Sequence, residues 1–143
     1  MLESLAIIVL TQNEADNLPR CLESIAGFGE TVVVDSGSDD GTREIARQAG
    51  ARVYDHPFES FARQRNWALE NCDLKTQWIL FLDADEIATP EFRQAVTSGI
   101  SRLNIRPDQT NDRFFIETPP GVCSLNYAYM HSELSLLYMG ELK

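Results

Sequence analysis

The sequence predicts an α/β domain, a parallel β-sheet with helices packed on both faces. Three observations predict it. The apolar runs 5–10 (LAIIVL), 31–34 (TVVV) and 78–82 (WILFL) are short and rich in branched or aromatic residues, as in strands buried on both sides. Helical patterns separate the runs, and strand–helix alternation builds parallel sheets through right-handed crossovers. Each run also stops abruptly at polar residues, and in such sheets ligands sit beyond the carboxyl ends of the strands.

Residues 18–25 place Leu18, Leu22 and Ile25 on one helical face, with Asn17 as N-cap, Pro19 in the first turn and Gly27 as the stop. A second helix over 42–49 turns Ile45 and Ala49 inward and ends at Gly50. Residues 51–54 read as a short strand. A third helix near 58–71 repeats Phe61, Arg65, Ala68 and Leu69 at spacings of one face. A fourth starts at Thr89-Pro90-Glu91, where Thr89 caps, Pro90 takes the first position and Glu91 meets the helix dipole. Beyond Arg106 the pattern weakens. Residues 107–113 are a polar linker, 114–116 a candidate strand, TPPG at 118–121 a break, and 123–142 show no clean period. The expected division is a domain over 1–106 and an atypical or truncated tail over 107–143.

Composition narrows the function. The 143 residues suffice for one domain with a substantial core. Twelve basic and 22 acidic side chains leave a net charge of −10, which gives no field to attract nucleic-acid phosphates. An anionic small ligand then needs a cation or a local basic group. Cys21, Cys72 and Cys123 match no zinc spacing and no disulfide framework, so a reducing, cytoplasmic setting is expected. The apolar stretch 5–10 is too short for a signal-peptide core or a membrane span. At most a peripheral association with the inner face of the cytoplasmic membrane is expected.

Three polar stretches converge on the strand ends: 11–14 (TQNE), 35–42 (DSGSDDGT) and 83–86 (DADE). Asp83 and Asp85 are the sharpest pair. In an extended segment leaving a strand, alternate residues face the same way, so both carboxylates can approach one ion. Carboxylate oxygens suit Mg²⁺ or Mn²⁺, which keep waters and bind substrate phosphates. Such an ion would bridge an acidic site to an anionic diphosphate. The bland alternative is a solvated acidic loop; its position directly after WILFL favours the site. Asp35, at the end of the second strand, is placed to accept hydrogen bonds from a base or ribose, while Ser38 and Asp40 read as turn and cap residues. Thr11 has two readings, a nucleotide contact or a tie within the turn. Glu14 fits the N-terminus of the first helix. Arg63 and Arg65 cannot share a helix face, so at most one reaches the site, where its fork would hold a diphosphate; a surface ion pair is the alternative for each. His56 and His131 are isolated and receive no role.

Taken in order, LAIIVLTQNEADNLPRCLESI, VVVDSGSDDGTREIARQAGARVY, FARQRNWALE and WILFLDADEIATPEF resemble the family 2 glycosyltransferases. The Asp-Ser-Gly-Ser and Asp-Ala-Asp-Glu forms look most like the bacterial branch that builds lipopolysaccharide core. The resemblance covers about residues 4–100. It implies the GT-A nucleotide-diphospho-sugar transferase fold, a three-layer sandwich, here incomplete. It also implies inverting transfer from a nucleotide donor, usually UDP-linked, to a glycan or lipid-linked acceptor in envelope glycan synthesis. By matching position, Thr11 and Asp35 would hold the nucleoside, Asp83 and Asp85 the metal–diphosphate, and Arg65 would assist. Ser36 falls at a position that varies between Ser and Asp. The family's base and acceptor segment lies well past the metal motif. Only 58 residues follow Asp85, and Glu117 and Glu133 sit in no recognisable motif. The catalytic base is therefore unknown, and donor binding with weak or absent transfer is expected. Two alternatives remain: a non-catalytic nucleotide-binding remnant, and a haloacid dehalogenase-type phosphatase suggested by Phe-Leu-Asp-Ala-Asp.

Overall fold

The computed structural model describes residues 2–76, 78–102, 113–114, 125–131 and 134–139. Strands β1 (Leu2–Thr11), β2 (Gly29–Asp35), β3 (Arg52–Asp55) and β4 (Trp78–Asp83) alternate with helices α1 (Leu18–Ile25), α2 (Thr42–Gln48), α3 (Phe61–Asn71) and α4 (Pro90–Arg102). Three further strands complete the chain, β5 (Arg113–Phe114), β6 (Leu125–His131) and β7 (Leu134–Met139). Among the described residues all seven strands form one sheet in the order β3-β2-β1-β4-β7-β6-β5. β1 to β4 are parallel, β7 joins β4 in parallel, and β6 and β5 add antiparallel neighbours.

Strand alternation divides the core in two. Leu5, Ile7 and Val9 of β1, with Val33, Leu80 and Leu82, pack against α1, α2 and α4 through Leu18, Leu22, Ala46, Phe92 and Val96. Ala6, Ile8, Val32, Val34, Ile79 and Phe81 face the other way, onto Ala68 of α3 and Cys72 just after it. Leu5 to Val9 have no exposed surface, which is why β1 is apolar on both faces. Each such Val, Leu or Ile contributes about 1.5–3 kcal/mol of burial. The result is three layers, with β1 inside the sheet between β2 and β4.

Several local expectations hold, and several do not. Thr89 caps α4, its hydroxyl accepting from the Phe92 amide at 3.1 Å. Gly27 and Gly50 adopt the positive φ of helix stops. Asn17 is the N-cap of α1 by position, but its side chain caps nothing; its amide donates to the Glu14 carboxylate at 3.1 Å. In α2 the buried stripe is Thr42 and Ala46, while Ala49 is exposed and Ile45 only partly covered. The Thr42 hydroxyl on that buried stripe accepts from the Glu14 amide at 3.0 Å. α3 starts at Phe61, not 58, because the Ser60 side chain caps it. Its inward residues are Gln64 and Ala68, and Phe61 is 63% exposed. The candidate strand at 114–116 appears as Arg113–Phe114. Residues 115–116 lie outside the described residues, as do Glu117 and Glu133. β6 and β7 fall where no period was legible.

Candidate functional site at the carboxyl rim

Strand register assembles the site. Thr11 of β1 pairs with Asp35 of β2, and one row earlier Leu10 pairs with Asp83 of β4. Asp35 in turn pairs with Asp55 of β3. The ends of four strands therefore bring Asp35 and Asp83 to opposite flanks of β1 at one rim. His131 ends β6 opposite Leu134 at the start of β7, beside the amino end of β4, and belongs to no part of this rim.

Thr11 and Asp35 form the buried part. The Asp35 side chain is 0% exposed, and its Oδ1 accepts from the Thr11 hydroxyl at 2.7 Å and the Ser38 hydroxyl at 2.6 Å. Its Oδ2 accepts from the Ser38 amide at 2.8 Å and lies 3.9 Å from Arg43 Nε. Of roughly four lone-pair directions on a carboxylate, three are used within the protein. Thr11 is thus the tie between two turns, one of its two readings, and Asp35 holds the loop that leaves β2. Gly37, at φ +76, supplies the bend that lets Ser38 fold back onto Asp35.

That loop is laced to the one after β1. The Asn13 amide donates to Ser38 Oγ at 2.8 Å, the Asp39 amide to Asn13 Oδ1 at 3.0 Å, and the Ala15 amide to Asp40 at 3.2 Å. Asp40 also accepts from the Thr42 amide at 2.9 Å and from the Thr42 hydroxyl. These bonds, led by the Thr42 hydroxyl, hold the Asp40 carboxyl below its ordinary range. Ser38 ties the turn, as expected, whereas the N-cap of α2 is Gly41, not Asp40, which sits one residue earlier and accepts from the Thr42 amide.

Asp83 and Asp85 form the exposed part, with Ala84 buried between them. The segment is not extended as expected. It is a β-turn, closed by the Glu86 amide donating to the Asp83 carbonyl at 3.0 Å, while Glu86 Oε2 accepts from the Asp83 amide at 2.8 Å. The turn still leaves both aspartates facing solvent. Beneath it lies Cys21, whose thiol is 3.6 Å from the Asp83 carbonyl. Burial, and after it the charges of Glu86, Asp85, Asp83 and Glu14, pushes this thiol up to about 12. Burial is the larger cause, and the four carboxylates of the rim add to it.

The two arginines separate as helix geometry requires. Arg63 is exposed and pairs with Glu59. Arg65 is half-buried, its guanidinium carbon 5.5 Å from the centre of the Phe81 ring. Strand alternation puts Phe81 and Asp83 on one side of β4, so Arg65 is the arginine on the Asp83 side.

For a divalent ion the donor set is hard oxygen, which suits Mg²⁺ or Mn²⁺. Among the described residues no three His, Cys, Asp or Glu side chains are grouped to hold a metal by themselves. The Asp83–Asp85 pair fits only an ion whose other ligands are water and substrate phosphate, which is the habit of Mg²⁺.

Three residues of the rim escaped the sequence reading. Gln64, 1% exposed, reaches from α3 to both Ser36 and His56. His56 stacks on Trp67 with ring centres 4.3 Å apart. Arg43 links Asp55, at 3.0 Å, to the Asp35 loop through the Ser38 carbonyl at 3.1 Å. Gln64 stands between two arginines and breaks the apolar stripe, the one sequence signal that could have found it. A cavity of about 870 Å³ between α1 and α2, lined by Gly29, Ala49 and Gly50, lies at the opposite end of the strands and includes none of these groups.

A family model described as Glycosyl transferase family 2 matches residues 6–103. The lipopolysaccharide core biosynthesis glycosyltransferase LpsC of Rhizobium meliloti is 37% identical over 87 residues, covering 57% of this chain and 32% of that protein. The crystal structure of Staphylococcus aureus TarS 1-349 in complex with UDP-GlcNAc superposes with a TM-score of 0.57 at 24% identity, over 69% of this chain and 31% of that one. Glucosyl-3-phosphoglycerate synthase from Mycobacterium tuberculosis, solved with Mn²⁺, UDP and glucosyl-3-phosphoglycerate, gives a TM-score of 0.55 at 22% identity, over 71% and 40%. At those identities the likeness shows the fold, the GT-A α/β sandwich. The chain spans about a third of the length of the curated relatives it matches. No described helix is long and apolar enough to cross a membrane. The match over 6–103 contains both the Asp35 loop and the Asp83–Asp85 turn, which leaves the phosphatase alternative without support: the chain belongs to glycosyl transferase family 2.

Proposed function

We propose that residues 1–106 bind a nucleotide-diphosphate sugar, UDP-linked, across the carboxyl rim, for sugar transfer in bacterial lipopolysaccharide or other cell-envelope glycan synthesis. The observation that carries this is the register of β1, which sets Thr11 beside Asp35 and Leu10 beside Asp83. The nucleoside lies on the Thr11–Asp35 side, over the loop that the buried Asp35 carboxylate holds in place. The diphosphate lies on the Asp83 side, where Arg65 supplies forked donors. Asp83 and Asp85 hold Mg²⁺ or Mn²⁺, and the bound ion supplies charge neutralisation for the departing nucleotide. Its place in lipopolysaccharide synthesis is supported by the likeness to LpsC. The acceptor is a glycan or a lipid-linked glycan, met at the cytoplasmic face of the membrane without a spanning segment of this domain. An attacking acceptor hydroxyl needs a base, and no described residue is assigned that part. Donor binding is the activity proposed for residues 1–106, and the segment 107–143 is left outside the donor site.

Calorimetric titration with UDP, with and without Mn²⁺ and repeated on Asp85→Ala, tests the reading. Binding that strengthens with Mn²⁺ and loses that gain in the variant is expected. Binding indifferent to both would reject the metal site, and no binding at all would reject the donor site.

A further inference from the structure

A second cleft, of about 630 Å³, lies between α1 and α4, and its lining includes Arg20, Glu23, Ser24, Ile87, Thr89 and Arg93. It shares no residue with the rim built from Thr11, Asp35, Arg65, Asp83 and Asp85. Its charge sets it apart. The chain carries a net charge of −10, so carboxylates are plentiful, and Arg43, Arg52 and Arg63 are each paired with one. Neither Arg20 nor Arg93 has an ion pair or a side-chain hydrogen bond among the described residues. Arg93 is also half-buried and held in place. Its guanidinium carbon sits 4.9 Å from the centre of the Phe28 ring, and its amide donates to the Thr89 carbonyl at 2.9 Å. A charge kept partly out of water without a counter-ion is unfavourable, and an anion taken from solution offsets that cost.

The hydroxyls of the cleft sharpen the choice of ligand. Ser24 is spent: its O–H donates to the Cys21 carbonyl at 2.6 Å, and its oxygen accepts from the Ala88 amide at 3.0 Å. Thr89 is not. Its oxygen accepts from the Phe92 amide at 3.1 Å, and its own O–H has no acceptor among the described residues. The cleft therefore presents two guanidinium forks and one hydroxyl hydrogen, against a single carboxylate, Glu23. The N-terminal end of α4, a helix of 13 residues, adds partial positive charge at the same place. A donor-rich, positive lining of this kind complements a ligand that only accepts hydrogen bonds and carries two charges, which is the chemistry of a phosphate group.

We propose that the cleft between α1 and α4 binds a phosphate group, gripped between Arg20 and Arg93 with the Thr89 hydroxyl as a third donor, at a site separate from the sugar-nucleotide rim. The group belongs to a soluble phosphate compound or to a lipid headgroup, and the recognition is the same for both. The cleft site does not depend on the donor-site reading.

Calorimetric titration with inorganic phosphate in metal-free buffer, at an ionic strength fixed with chloride, tests it. The unmodified chain should bind phosphate. Arg20→Gln, a change at an exposed side chain without a packing partner, should weaken that binding by about tenfold, the worth of one charge-assisted contact. Arg93→Lys keeps the charge but not the fork and should also weaken it, whereas Arg47→Gln, on the exposed end of α2, should leave it unchanged. Sedimentation with phosphatidylcholine vesicles, with and without phosphatidic acid, identifies the source. Arginine-dependent binding to the phosphatidic acid vesicles assigns the phosphate to a lipid headgroup, and phosphate binding without vesicle binding assigns it to a soluble compound; each upholds the site. Absence of binding to both probes, or binding that Arg20→Gln leaves intact, overturns it. Phosphate binding lost in Arg65→Lys instead would place the anion at the donor rim and overturn it too. UDP affinity in Mn²⁺ should be unchanged by Arg20→Gln, and a loss there would refute the separation of the two sites. If the unmodified chain binds phosphate in the cleft but no UDP, the donor-site reading fails and this one stands.

Discussion

The Thr11 hydroxyl donates to Asp35 Oδ1 at 2.7 Å, and the two residues sit directly opposite each other in the parallel pairing of β1 and β2. Neither side chain has appreciable exposure. The bond therefore joins two strand ends beneath the loop 36–42, where the sheet stops and the turns of the rim begin. A buried carboxylate is costly unless its oxygens are satisfied, and Thr11 supplies one of the three donors that satisfy it.

Thr11→Val keeps the shape of the side chain and deletes that donor. Hydrogen bonds to charged groups are worth about 1.5–3 kcal/mol, and a destabilisation in that range is expected. Urea unfolding checks it: the midpoint should fall with an unchanged slope. A variant as stable as the parent would mean that Asp35 does not depend on Thr11.

Gly29 opens β2 where β1 passes closest. A Cβ built there meets the Leu5 carbonyl oxygen at 2.7 Å, a backbone atom that cannot rotate away. Gly29→Ala should cost about 1–3 kcal/mol, the usual penalty of forcing extra volume into a packed site. Gly27→Ala, two residues earlier, meets no atom within 4 Å but must hold φ +70. Its cost is backbone strain alone, about 1 kcal/mol. Equal stability of Gly29→Ala and the parent, read by chemical denaturation, would contradict the close approach.

Much of this arrangement was legible because strands buried on both faces announce themselves. LAIIVL and WILFL can only be interior, and the ligand rim begins where an interior parallel strand ends. Asp35, Asp83 and Asp85 were found at the strand ends by that logic, and Thr89 was legible as the cap of α4. Gln64 was not, since a helix pattern read for apolar spacing treats an inward glutamine as a surface residue. Phe61 misled for the mirror reason: its apolar ring suggested burial, yet it packs edge-on against Phe58 at 5.1 Å, outside the core. The turn at Ala84–Asp85 was hidden because Glu86, which folds back onto the Asp83 amide, has no signature beyond its charge. β6 eluded the reading because it mixes aromatic, polar and small side chains, and β7 (LSLLYM) because Ser135 interrupts a short apolar run.

The burial of Cys21 beneath the acidic turn predicts an alkaline weakness. Burial and the nearby carboxylates raise its thiol from an ordinary value of 9.0 to about 12, so the folded protein holds this proton more tightly than the unfolded chain. The contribution is whole below pH 9 and is lost as pH rises towards 12, because the unfolded thiol ionises first. Stability measured by urea unfolding should decline across that window, and Cys21→Ala should show a shallower decline. Identical slopes would remove Cys21 as the cause. Slow alkylation of Cys21 at neutral pH in the folded state is the companion expectation.

Arg63 and Arg65 offer the sharpest test of which side of α3 meets the donor. Arg63 is exposed and engaged with Glu59, an ion pair of the kind worth little in water. Arg63→Ala should change neither UDP affinity nor stability by more than about 0.5 kcal/mol. Arg65 instead lies across the Phe81 ring, two residues before Asp83 on the same strand. Arg65→Lys keeps the charge but not the planar fork or the stacking surface, so it separates charge from geometry. If the fork holds the diphosphate, Arg65→Lys should weaken UDP by about tenfold and leave uridine binding unchanged, because uridine carries no phosphate. Equal losses for UDP and uridine would assign Arg65 to the scaffold, through Phe81. A loss from Arg63→Ala and none from Arg65→Lys would place the diphosphate on the other side of the helix.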